Sequence, residues 1–207
     1  MISTLIVEDN KITRDYFEEM IKKSARFSLA GTIKDAAQAE MFCRAVKVDL
    51  ILMDMQTLHG NTGILAAEEI KKRQPHIKIV IVTSLVDSEV LQSARRSGAD
   101  SLWYKDHSEE ELLGVMQKTV IGEHIFPDKS PRVVIGDAWS DELSETQKNI
   151  LRLYIKGNSY AAIGKMLYIE KTTVKYHMNP MIKKCGFKSK QQLIAAAIDS
   201  TIITTMD

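Results

Sequence analysis

Residues 1–121 repeat one unit five times: a short apolar run, then a segment whose apolar residues recur at helical spacing. Thr4–Val7 precedes Ile12–Met20, Ser28–Ile33 precedes Ala36–Val46, and Asp49–Met53 precedes Ile64–Ile70. Ile77–Val82 precedes Val90–Ala94, and Ser101–Trp103 precedes Leu112–Val120. Strands this short and uniformly apolar suit a sheet buried on both faces, because a sheet wetted on one side would alternate apolar with polar residues. The expected fold is a doubly wound, five-stranded parallel α/β sheet. Asp35 and Ser108 stand where helix N-caps belong, and Gly98 where the fourth helix should end.

The pattern changes after Ile121. Residues 122–142 lose helical periodicity and gather Pro127, Pro131 and Gly136 among acidic residues, the chemistry of a linker. Within it, Arg132–Ile135 is apolar enough to dock on a neighbouring domain. From 143 to 207 the apolar spacing is helical throughout: Glu145–Ile155, Tyr160–Leu167, Thr172–Lys184 and Lys190–Ile198. This reads as a small all-α domain of four helices, in which Tyr168-Ile169-Glu170 makes the three-residue turn of a helix-turn-helix.

Side chains at the carboxyl ends of parallel strands line the crevice where such sheets bind ligands. Here those ends carry Glu8 and Asp9, then Asp54, Thr83 and Lys105. Any one acid at a strand end is commonly a cap or a solvated loop residue. Three carboxylates in one crevice cannot all ionise without a cation, and hard oxygen donors in this number suit Mg²⁺. Such a site points to phosphoryl chemistry. Asp54 is the candidate nucleophile and phosphoacceptor, Glu8, Asp9 and Asp54 the metal ligands, Lys105 the partner of the phosphoryl oxygens, and Thr83 a hydrogen-bond donor to one of them.

The sequences Val7-Glu8-Asp9-Asn10, Leu52-Met53-Asp54-Met55, Val82-Thr83-Ser84 and Tyr104-Lys105 resemble the receiver domain of bacterial response regulators over residues 1–121. The resemblance implies a flavodoxin-like strand order 2-1-3-4-5, a phosphoryl group taken from a histidine kinase with Mg²⁺, and slow self-dephosphorylation as the sole catalysis. Two departures stand out. Thr57-Leu58 replaces the usual Met-Pro pair, which should leave the loop after Asp54 more mobile. Leu102 occupies the place of the aromatic that moves with Thr83, so signal relay should differ; Trp103 beside it reads as a core or interface residue.

Leu143-Ser144, Ile150-Leu151-Arg152-Leu153, Gly157, Ile163-Gly164-Lys165-Met166-Leu167, Thr173-Val174-Lys175 and His177 resemble the LuxR-type helix-turn-helix. Together the two resemblances imply the NarL/FixJ class, whose members bind double-stranded DNA as homodimers at paired half-sites. Thr172–Lys184 is then the recognition helix, with Lys171, Thr172, Lys175, Tyr176 and Asn179 exposed and Val174, Met178 and Ile182 spaced for burial. Lys175 and Asn179 are the candidates for base edges; Lys171, Thr172 and Thr173 are those for phosphate. Glu170 is a poor N-cap there. Pro180 should kink the helix or restart it, leaving Thr172–Met178 helical.

Charge agrees with this division. Residues 143–207 carry ten Lys and Arg against four Asp and Glu, whereas residues 1–121 carry 16 against 18. Only the last part favours a polyanion. No apolar run is long enough to span a bilayer, so a cytoplasmic protein is expected. Cys43 and Cys185 are too distant in sequence to suggest a framework and read as idle thiols. The rival reading is a receiver-based protein-interaction switch with weak or no DNA binding; no separate substrate pocket argues for an enzyme.

Overall fold

The computed structural model describes residues 1–60, 62–105 and 111–202, which form two compact units, the first from Met1–Ser84 and Ser88–Lys129, the second from Leu85–Asp87 and Ser130 onward. In the first unit β1 (Ile2–Val7), β2 (Phe27–Ile33), β3 (Leu50–Asp54), β4 (Lys78–Thr83) and β5 (Ser101–Tyr104) form one parallel sheet in the order β2-β1-β3-β4-β5. The helices between them are α1 (Lys11–Lys23), α2 (Ala39–Ala45), α3 (Gly63–Arg73), α4 (Ser88–Arg96) and α5 (Leu112–Val120). The doubly wound sheet and the strand order implied by the resemblance are both present.

The strands are apolar on both faces because both faces are covered. Ile6, Leu50, Leu52, Val80 and Val82 pack with Phe17 and Ile21 of α1 and Leu112, Val115 and Met116 of α5. The alternate residues Leu5, Val7, Ile51, Met53, Ile79 and Ile81 are equally buried, and α3 and α4 contact the sheet near Ala67, Ile70 and Ala94. Each such side chain removed from water contributes about 1.5–3 kcal/mol. Trp103 packs against the first of these clusters, as a core residue, while Leu102 and Tyr104 are fully buried.

The expected helix 36–46 is divided. A short 3-10 turn over Ala36–Gln38, capped by the Asp35 carboxylate on the Ala37 amide, leads into α2, and Val46 is already extended. Gly98 adopts the positive φ expected after α4 (79°). Ser108 lies outside the described residues.

Two parts of the segment expected as a linker are bonded in place. Ile125 accepts a hydrogen bond from the Leu102 amide and donates one to the Ser101 hydroxyl, which lays it against β5. Further on, β6 (Val134–Ile135) and β7 (Ala138–Trp139) form an antiparallel hairpin whose Ile135 is buried and whose Asp137 amide donates to the Cys185 carbonyl. The apolar run at 132–135 thus docks on the helical unit.

That unit contains α6 (Glu145–Ile155), α7 (Tyr160–Leu167), α8 (Lys171–Lys184) and α9 (Lys190–Asp199). Ser144, Ser159 and Ser189 cap α6, α7 and α9, each accepting from a backbone amide. The turn between α7 and α8 is Tyr168–Glu170, and it packs so closely that a Cβ on Gly164 would stand 2.7 Å from the Ile169 carbonyl oxygen.

Thr172–Met178 is helical as expected, while two finer expectations, a restart at Pro180 and the burial of Ile182, fail. The helix α8 runs unbroken through Pro180 instead of restarting. Pro180 and the neighbouring Tyr176 face solvent, so water can satisfy the Tyr176 carbonyl that the proline cannot. The opposite face holds the helix to the domain through Val174, Met178, Met181 and Cys185, all buried. Met181, not Ile182, continues that stripe; Ile182 is only half-buried.

Candidate functional site

The first unit gathers its polar groups at one rim of the sheet. Where β1 ends, the Glu8 amide still donates to Ile33 across the sheet, which fixes a carboxylate that is only 1% exposed. Asn10 then starts α1, accepting from the Ile12 and Thr13 amides while its own amide donates to Glu8 Oε1. Arg14, one turn into α1, donates to the carbonyls of both Glu8 and Asp9 at 3.1 and 3.0 Å. The acidic pair is therefore held by its backbone.

Asp54 closes β3 and is 8% exposed. Carboxylate oxygens of Glu8, Asp9 and Asp54 lie within 4.8 Å of one another. Lys105, just past β5, reaches Glu8 Oε2 at 2.7 Å and Asp54 Oδ1 at 3.2 Å, and its amide donates to the Thr83 carbonyl. Thr83 is buried at the end of β4, paired in register with Tyr104. All five expected residues thus stand at adjoining strand ends.

One ammonium among three carboxylates leaves the cluster short of positive charge. Burial pushes the Asp54 carboxyl up to about 7; Lys105 opposes this, and the Glu8 and Asp9 carboxylates reinforce it. Burial works against the Lys105 charge, yet Asp54 and Glu8 hold its ammonium above the ordinary lysine value. A divalent cation bound to these hard oxygens would relieve the repulsion, and the donor set fits one.

Several bonds cross the loop after Asp54. The Thr57 hydroxyl, buried, accepts from the Ala36 amide at 2.9 Å, Leu58 donates to the Lys34 carbonyl, and Gln56 bridges to Thr62. Gly63 begins α3 directly against Asp54, where any Cβ would collide with the Asp54 carbonyl. Arg14, Thr57 and Gly63 were not foreseen. The Thr57 hydroxyl meets the backbone of a distant segment, and Arg14 reaches back past the start of its own helix, where helical spacing no longer applies.

In the second unit Lys171, Thr172, Lys175, Tyr176 and Asn179 are all exposed on α8, and Thr173 is half-buried. The Tyr176 ring meets His177 edge-on. Glu170 precedes α8 with no side-chain capping bond, as its chemistry predicted.

Residues 4–117 match the family model described as response regulator receiver domain, and residues 141–197 match that of bacterial regulatory proteins, luxR family. The uncharacterized transcriptional regulatory protein YxjL of Bacillus subtilis (strain 168) is 26% identical, over 98% of this chain and 97% of its own. The oxygen regulatory protein NreC of Staphylococcus aureus (strain JH9) is also 26% identical, over 96% and 98%. Among solved structures, RcsB from Salmonella enterica serovar Typhimurium, bound to promoter rprA in the presence of the phosphomimetic BeF3-, shares the fold at a TM-score of 0.63 and 17% identity, over 95% of this chain and 98% of that one. The response regulator ChrA of a heme-sensing two-component system shares it at 0.51 and 20%, over 98% of each. The receiver match covers more than half of the chain and the luxR match follows it, so the protein belongs to the response regulators, with a receiver domain ahead of a LuxR-type helix-turn-helix.

Proposed function

We propose that the protein is a transcription regulator whose binding to double-stranded DNA is controlled by phosphorylation of Asp54. The observation that carries this reading is Lys105 spanning Glu8 and Asp54 beside a cluster of three carboxylates, in a chain that also presents an exposed basic helix. A histidine kinase is the proposed donor. An Asp54 oxygen bonds to phosphorus as the phosphorus–nitrogen bond of the donor's phosphohistidine breaks and the imidazole leaves. Lys105 pairs with the incoming phosphoryl oxygens, and the Thr83 hydroxyl donates to one of them. Glu8, Asp9 and Asp54 would hold Mg²⁺, whose charge offsets that of the transferring group. Hydrolysis of the aspartyl phosphate is the only catalysis proposed.

Mg²⁺ should raise the thermal midpoint of the parent chain, by about 2.7 kcal/mol of stability at a hundredfold excess over its Kd. Asp9→Ala should lose most of that gain. A parent midpoint indifferent to Mg²⁺ would count against the cation site.

For DNA, Lys175 and Asn179 are proposed to meet base edges and Lys171, Thr172 and Thr173 the phosphates, with Tyr176 beside them on the exposed face. RcsB has been seen as two dimers on two parallel DNAs, and this supports a dimer on DNA here. Among the described residues no helix is long and apolar enough to cross a membrane. The test is salt dependence. Lys171→Ala should lower the slope of log affinity against log salt by about 1, and Lys175→Ala should abolish recovery of specific genomic fragments.

A second reading, a protein-interaction switch without strong DNA binding, draws on Pro180 within α8 and on the uncapped start at Glu170. It predicts that recovery of DNA by the full chain is the same with Lys175→Ala.

A further inference from the structure

Tyr168 ends α7 in the left-handed region, at φ 56° and ψ 39°. A side chain there crowds its own backbone, and glycine or asparagine usually takes the position. Gly157 follows α6 at φ 86° and Gly186 follows α8 at φ 73°, although Thr201 after α9 and His59 in the first unit share the left-handed region with Tyr168, at φ 56° and 64°. Tyr168 is also 96% exposed, and its ring and hydroxyl meet no partner among the described residues. The backbone conformation weakens the fold, and the ring, left in water, contributes no burial to offset it. Strain of this kind is kept where it serves a site.

Its place in the chain says which site. Tyr168 opens the three-residue turn into α8, just ahead of Lys171 and Thr172, both exposed on the helix's first turn. Exposed Lys165 and Lys171 bracket it, a field that favours an anion even with Glu170 nearby. A phenol combines a rigid reach with a donor at its tip, and tyrosine hydroxyls are among the groups that bond DNA phosphates. We propose that Tyr168 is a DNA-backbone contact whose hydroxyl donates to a phosphate oxygen beside the groove that α8 enters. The assignment rests on the DNA-binding reading above.

The test uses the full chain and a fluorescent duplex of random sequence about three helical turns long, roughly 30 base pairs, because a phosphate contact does not depend on sequence. Tyr168→Gly should raise the thermal midpoint of the helical unit by about 3 °C while weakening binding about fivefold, opposite signs that a purely structural residue would not give. The salt slope should stay as in the parent, since a neutral hydroxyl displaces no counterion. Tyr168→Phe should keep the parental stability and reproduce most of the lost affinity. Parental affinity in Tyr168→Gly or in Tyr168→Phe, or a lower midpoint in Tyr168→Gly, overturns the proposal. If the parent itself fails to bind the duplex, the DNA reading falls and takes this contact with it.

Discussion

Asp54→Asn is expected to take up no phosphoryl group from acetyl phosphate and Mg²⁺ under conditions where the parent gains one, as read by intact-mass spectrometry. The same change should make the receiver more stable in a chelating buffer. The Asp54 carboxyl stands at about 7 in the folded chain against 3.8 in the unfolded one, chiefly through burial. Folding therefore favours its protonated form. Its contribution is complete below pH 3.8, declines as pH rises, and is gone above about 7, where a buried carboxylate is left to its neighbours Glu8 and Asp9. Asparagine removes that cost, so the variant should exceed the parent by on the order of 2 kcal/mol at pH 8 and by almost nothing at pH 4. Urea titrations at the two pH values measure both. A variant less stable than the parent at pH 8 would mean that the cluster is not strained by its own charge.

Asp100→Ala should be the most damaging single change away from the site. Asp100 lies just before β5, its side chain 5% exposed, with Oδ2 at 2.5 Å from Lys71 and Oδ1 at 2.9 Å from Lys78. The Ile79 amide also donates to it, and among the described residues the Lys71 ammonium is left with the Ile77 carbonyl once the carboxylate is gone. Removing one partner of a buried pair costs about 3 kcal/mol, because the other charge stays behind. The receiver should melt about 10 °C lower. Burial acts to raise the Asp100 carboxyl, but the Lys71, Lys78 and Ile79 donors outweigh it and hold it below 3.8. The stabilisation is therefore present above the unfolded value of 3.8 and is lost as pH falls through the lower folded one. The gap between parent and variant should be full at pH 7 and close only in strong acid; a gap that closes near neutrality would point to another group.

The strands could be read from sequence because both faces of the sheet are buried, which forces continuous apolar runs such as Ile77–Val82. The rim could be read because a parallel sheet brings all its carboxyl ends to one side, so that Glu8, Asp9, Asp54, Thr83 and Lys105 had to meet. What was missed depends on contacts between remote segments. Nothing near Asp100 in the chain shows that Lys71 and Lys78 converge on it. The helix continues through Pro180 for a related reason. The local cost of the proline is real, but Val174, Met178 and Met181 lie on the far side of the helix and anchor it. The burial of Met181 over Ile182 likewise depends on how α8 meets α6 and α7, which helical periodicity leaves open by one residue.

The most direct measurement is the affinity of the full chain for its recovered DNA fragments with and without beryllofluoride and Mg²⁺, in the parent and in Asp54→Asn. A phosphate mimic at the rim should change parental affinity about tenfold, within the usual range of coupling between two sites, and leave Asp54→Asn untouched. Equal parental affinity in both conditions, or the same shift in Asp54→Asn, would contradict control of DNA binding through Asp54.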